Sequence, residues 1–116
     1  MSMIPTLVTG DDSIYEIQLT KNEENFRINN GATVKASLIS KDRKTVIIPP
    51  VILSDNDTNS DWLNSLVVVK FDSADTDAIP TTIVNQKNAL LEIQVDDGGK
   101  LTWFHKIQLV KGTIDQ

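Results

Sequence analysis

The sequence predicts an all-β fold, an antiparallel sandwich of roughly seven or eight short strands in one domain covering residues 1–116. Three observations carry that reading. Apolar and polar residues alternate in several segments, the mark of strands buried on one face. No segment sustains the 3.6-residue period of a packed helix. Clusters of turn formers recur along the chain, at "KNEEN", "NNG", "KDRK", "SDNDTNSD", "DSADTD" and "DDGGK".

The elements follow in order. In "SIYEIQLT", Tyr15, Ile17 and Leu19 share one face and Glu16 and Gln18 the other. In "TVKASLIS", Val34, Ala36 and Leu38 alternate with Thr33, Lys35 and Ser37. "TVIIPPVIL" is rich in β-branched residues, yet Pro49 and Pro50 bring no amide donor. That fits an edge strand or a break between two short ones. "WLNSLVVVKF" reads as a strand with Val67, Val69 and Phe71 on one face, while Leu66 and Val68 make the other partly apolar. Between Ser73 and Val84 the pattern is ambiguous and Pro80 interrupts it; helix is expected to be negligible. The last hairpin is the clearest element. Leu91, Ile93 and Val95 alternate with Glu92 and Gln94. "DDGG" then supplies residues that tolerate the positive φ of a tight turn. "KLTWFHKIQLV" returns with Leu101, Trp103, His105, Ile107 and Leu109 on one face. Such strand spacing matches an immunoglobulin-like architecture, although the Cys-Trp-Cys signature of antibody domains is absent.

Composition excludes several functions. With 11 basic and 16 acidic residues the net charge is -5, and the Lys and Arg residues are scattered. Nucleic acid and anionic membranes, which reward clustered positive charge, are therefore not expected partners. The chain has no cysteine, so thiolate zinc sites and thiol nucleophiles are ruled out. The start "MSMIPTLVTG" lacks the basic and long apolar regions of a signal peptide, and no apolar run approaches a membrane span. A soluble chain made in a cytoplasm is expected.

One stretch invites a metal. "SDNDTNSDW" places Asp55, Asp57, Asn59 and Asp61 at every second position, as in the first ligands of an EF-hand loop. The pattern then departs from that loop, because Ser60 stands at the glycine position and Leu66 at the bidentate glutamate. An inter-loop calcium site that adds Asp72, Asp75 and Asp77 is the alternative reading. The plainer one is a polar turn whose side chains bond their own backbone. Asn56-Asp57-Thr58 also matches a glycosylation sequon, with no secretion signal to support it.

No catalytic residue is assigned. His105 is the single histidine and lies on the apolar parity of its strand, where a core or interface role fits better than general-base chemistry. Trp103 and Phe104 occupy opposite faces of that strand. Leu90, Phe104 and Val110 all stand on the polar parity of the hairpin, which gives that face more apolar surface than solubility needs. These three are the candidate interface residues.

Two longer segments carry a resemblance, "SIYEIQLTKNEENFRINNGATVKASLIS" and "ALLEIQVDDGGKLTWFHKIQLVKG". Together they resemble the immunoglobulin-like N-terminal domains of tailed-phage baseplate and tail-fibre attachment proteins. The resemblance implies a non-enzymatic virion structural protein: a tail, baseplate or decoration subunit that pairs with other virion proteins and forms a homo-oligomer. It implies no cofactor and no catalytic residue. In that family a stalk or fibre usually follows the domain; here the sequence stops at Gln116, which points to an adaptor or decoration subunit. The competing expectation is a calcium-dependent module that binds carbohydrate or protein at the acidic loops.

Overall fold

A computed structural model describes residues 5–29, 31–54 and 60–112. The described part is mostly β, 54% strand and 12% helix. A five-stranded sheet has the order β1-β9-β8-β5-β6. Its strands are β1 (Thr6–Val8), β5 (Thr33–Ser40), β6 (Val46–Ile52), β8 (Asn88–Asp96) and β9 (Lys100–Val110). Two strands, β2 (Ser13–Gln18) and β7 (Leu66–Phe71), form the second layer. A short hairpin of β3 (Thr20–Lys21) and β4 (Glu24–Asn25) completes the set.

The alternation places the core where expected. On β8, Ala89, Leu91, Ile93 and Val95 are all buried, with half-buried residues between them. The register of β8 on β9 runs without a shift from Asn88↔Gln108 to Asp96↔Lys100, and Gly98 takes φ 84 in the turn. Opposite this sheet, Tyr15 and Ile17 of β2 and Val67, Val69 and Phe71 of β7 close the same hydrophobic cluster. Burial of these side chains is the main stabilising term, at about 25 cal/mol per Å² of apolar surface removed from water.

β6 is a single edge strand that runs through both prolines. Its pairing with β5 slips between Ala36 and Leu38 and again between Leu38 and Ile39. Such bulges let a sheet edge carry prolines that cannot donate. β5 lies inside the sheet, and Ser37, Ile39 and Ser40 are buried along with the expected Val34, Ala36 and Leu38.

Several expectations are corrected. The sheet is mixed, not purely antiparallel, because β1 pairs parallel to β9 through Thr6↔Gln108, Leu7↔Leu109 and Val8↔Val110. Among the described residues there are nine strands, two of them only two residues long. The large sheet curls into a half barrel with small sheets beside it, which is not a clear immunoglobulin sandwich. Helix is present where negligible helix was expected: α1 (Ser73–Asp77) and α2 (Thr81–Val84) fill the ambiguous stretch. Pro80, expected to interrupt the ambiguous stretch, stands at the N-cap of α2, where its fixed φ suits a helix start. Trp62–Asn64 is a 3-10 turn ended by Ser65 at φ 70, so β7 begins at Leu66 and not at Trp62. Among the described residues no helix is long and apolar enough to cross a membrane.

Candidate interface on the last hairpin

Residues that alternate with the core side chains form the outer face of the large sheet. The register sets their neighbours. One row runs Val46, Ile39, Leu90 and Lys106 across β6, β5, β8 and β9. The next runs Ser37, Glu92 and Phe104. Leu90 and Phe104 are therefore diagonal neighbours, a spacing within reach of large side chains. Phe104 is 37% exposed and Leu90 half-buried.

Val110 does not join them. It sits six residues farther along β9, about 20 Å away at the strand rise, and pairs with Val8 of β1. At 38% exposure it belongs to a separate apolar spot at the other end of the sheet. Of the three candidate interface residues, the fold brings two together.

A loop of the same chain reaches this face. The Arg43 guanidinium carbon lies 4.0 Å from the Phe104 ring centre, a cation–π contact. Arg43 is aimed there by the β5–β6 connection, where its φ is 65. Within the turn the Ser40 hydroxyl donates to Asp42 Oδ1 at 2.5 Å, and the Thr45 N–H donates to Ser40 Oγ at 3.0 Å. Lys44 N–H also donates to Asp42 Oδ1. The Ser40 hydrogen bond and then the Lys44 amide hold the Asp42 carboxyl below the usual aspartate range. A polar turn was legible in "KDRK", but its reach over Phe104 was not, because only the β5–β8–β9 register carries Phe104 toward it.

Trp103 points the other way, as its parity requires. Its Nε1 donates to Thr20 O at 2.8 Å, and its ring packs on Phe26 with centroids 5.0 Å apart. His105 follows on the same inner side, opposite Leu91, with Nε2 buried and without a hydrogen-bond partner among the described residues. Burial holds its pKa below the ordinary 6.5. The folded chain thus binds this proton less readily than the unfolded chain. The associated stability is fully present above about pH 6.5 and is lost as pH falls below it toward the folded pKa. Melting temperatures at about pH 7.5 and 5.5 should fall more for the native chain than for His105→Gln. Parallel declines in the two proteins would remove His105 as the cause.

The described residues of the acidic segments fall at turns and at the ends of and within short helices. Asp61 accepts from Asn64 Nδ2 at 2.7 Å and bridges to Leu66. Asp72 stands at the N-cap of α1, and the Ser73 N–H donates to Asp12 Oδ1 at 2.7 Å. Thr76, fully buried, donates its hydroxyl proton to Asp11 O at 2.7 Å and accepts from the Gly10 N–H. Asp77 lines a shallow notch with Gly10, Ser73 and Ala74. Asp55, Asp57 and Asn59 lie outside the described residues. Among the described residues, no three histidine or carboxylate side chains gather in a way that could hold a metal ion. Millimolar calcium is expected to leave the melting temperature of chelator-treated protein unchanged, since a ligand that binds only the folded state must raise it. A saturable calorimetric heat at micromolar calcium would contradict this.

No protein-family model matches the sequence, and no curated protein matches it.

Proposed function

We propose that the chain is a non-enzymatic structural protein of a phage virion, in a tail, baseplate or decoration position, that works by protein–protein assembly. Its partners are other virion proteins and further copies of itself, and it is made in the host cytoplasm. The observation that carries this reading is the outer face of the last hairpin. There Leu90 and the partly exposed Phe104 stand together on a sheet whose opposite face is the core. Apolar side chains grouped on the outer face of a sheet favour contact with another protein surface. The likeness of "GATVKASLIS" and "ALLEIQVDDGGKLTWFHKIQLVKG" to baseplate and tail-fibre attachment domains supplies the setting. On this reading the fold is a reduced relative of the immunoglobulin-like sandwich, with a second sheet of only two strands. Quantitative mass spectrometry of purified particles from lysates containing this gene tests the proposal. The chain should be present at a fixed copy number per particle. Its absence from intact particles, with soluble chain left in the lysate, would rule the reading out.

A further inference from the structure

We infer that Asp97 is a site of spontaneous covalent modification, isomerising to isoaspartate when the Gly98 main-chain nitrogen captures its side-chain carboxyl. Such a reaction needs an Asp or Asn followed by a residue whose nitrogen is open to attack. Glycine is the best follower, because it has no Cβ to shield that nitrogen, and the small serine is next. Four such pairs stand wholly among the described residues: Asp12–Ser13, Asn64–Ser65, Asp72–Ser73 and Asp97–Gly98. The fold closes three of them. Ser13 is buried and pairs with Phe71 at the start of β2. Ser65 N–H donates to Trp62 O at 3.0 Å, and Ser73 N–H donates to Asp12 Oδ1 at 2.7 Å.

Asp97–Gly98 is left open. Both residues are exposed in the turn between β8 and β9, and Gly98 takes φ 84. Asp97 N–H donates to Gly99 O at 3.2 Å, so the turn's own bond spans the 97–98 peptide without using it. Among the described residues, neither the Gly98 N–H nor the Asp97 carbonyl has a hydrogen-bond partner. That peptide plane therefore turns about Asp97 ψ and Gly98 φ without breaking a bond of its own. A Cβ built at Gly98 meets nothing within 4 Å, so the space around it is empty as well. Asn29 Nδ2 donates to Asp97 Oδ2 at 3.2 Å and holds the carboxyl at the turn by one oxygen.

The chemistry balances with water alone. A bond forms between the Gly98 nitrogen and the Asp97 carboxyl carbon while the C–OH bond of the neutral acid breaks. The hydroxyl leaves with the nitrogen's proton as water, and a five-membered succinimide remains. Water then opens the ring. Attack at the side-chain carbonyl restores aspartate, whereas attack at the main-chain carbonyl leaves the chain running through the former side chain. The second product adds one methylene to the turn and carries a free α-carboxylate. The β8–β9 ladder ends at Asp96↔Lys100, so the strands keep their pairing around the longer turn. This chemistry belongs to the free chain and goes beyond the virion reading, so either can fail without the other.

Peptide mapping of folded protein, held for weeks at physiological temperature in mildly acidic buffer, tests the inference. Electron-based fragmentation identifies isoaspartate by cleaving the Cα–Cβ bond that isomerisation places in the main chain. The Asp97 peptide should gain a second chromatographic form of unchanged mass; deamidation of an asparagine would raise the mass instead. Ser73 must first give up a hydrogen bond to a carboxylate, a factor of about ten, so isoaspartate at Asp97 should exceed that at Asp72 by at least this ratio. Unfolding in urea should bring Asp12 and Asp72 closer to Asp97. Asp97→Glu should abolish the second form, since its longer side chain would need a larger ring. If Asp97 isomerises in urea but stays intact in the folded chain, the turn protects it and the inference is overturned. Equal isomerisation at Asp97 and Asp72 in the folded chain would overturn it too.

Discussion

Replacing Phe71 with alanine should destabilise the fold by about 3–5 kcal/mol, a large part of the 5–15 kcal/mol typical of a small domain. Phe71 is 1% exposed at the end of β7 and meets the Tyr15 ring edge-on, with centroids 6.3 Å apart. Among the described residues the second layer has two strands, so Phe71 and Tyr15 supply much of the bulk that faces the large sheet. Removing the ring leaves a cavity that two strands can close only partly, and the lost contacts add to the lost transfer energy. Ile14→Ala on the adjacent strand is the control. Ile14 is 62% exposed, and its truncation should change stability by less than about 0.5 kcal/mol. Urea unfolding of both variants measures the difference. A loss below about 1 kcal/mol for Phe71→Ala would show that the second layer is not a tight part of the core.

The second large effect is expected at Gly112. A Cβ built there would stand 2.4 Å from the Thr9 carbonyl oxygen, and that oxygen belongs to the backbone. Gly112 N–H also donates to Thr9 Oγ1 at 2.9 Å, just beyond the rung in which Thr9 N–H donates to Val110 O. The segments that follow β1 and β9 are thus clasped at one point, where the glycine's small size is required. Gly112→Ala must push β1 and the end of β9 apart, at a cost of about 1–3 kcal/mol. Gly99→Ala is the matched control, because a Cβ there meets nothing within 4 Å. Hydrogen exchange should show faster exchange at the Thr9 and Gln108 amides in Gly112→Ala and not in Gly99→Ala. Equal protection in both variants would place the clasp elsewhere.

The two predictions touch parts of the fold that differed in how far the sequence disclosed them. Val67, Val69 and Phe71 were legible as one buried face because alternation over six residues suffices to define a strand. The last hairpin was legible for the same reason, helped by turn residues that accept positive φ. β1 was not. Three residues, "TLV", are too few to show a period, and their partner lies about a hundred residues away in sequence. α1 and α2 were hidden likewise, since five and four residues complete little more than one helical turn. Pro80 then read as a breaker when it was a starter.

The candidate interface divides along the same line. Parity alone put Leu90, Phe104 and Val110 on the outer side of the last hairpin. Parity cannot say which of them touch, because that depends on the offset between strands. The offset of β8 on β9 joins Leu90 to the Phe104 neighbourhood and leaves Val110 beside Val8. The polar turn "KDRK" was visible as a turn, yet nothing in its composition directs Arg43 to an aromatic ring.

What the sequence by itself determined is therefore local: which residues alternate, which face of each long strand is apolar, and where the chain must turn. Side-chain chemistry and a period of two decide those matters within a few residues. Only the tertiary structure decided that β1 runs parallel to β9, that the second layer has two strands among the described residues, and that the β5–β6 turn brings Arg43 onto Phe104. These are pairings between distant segments. They are selected by the combined burial of the whole core and by backbone groups that must find partners, and neither is a property of any single stretch.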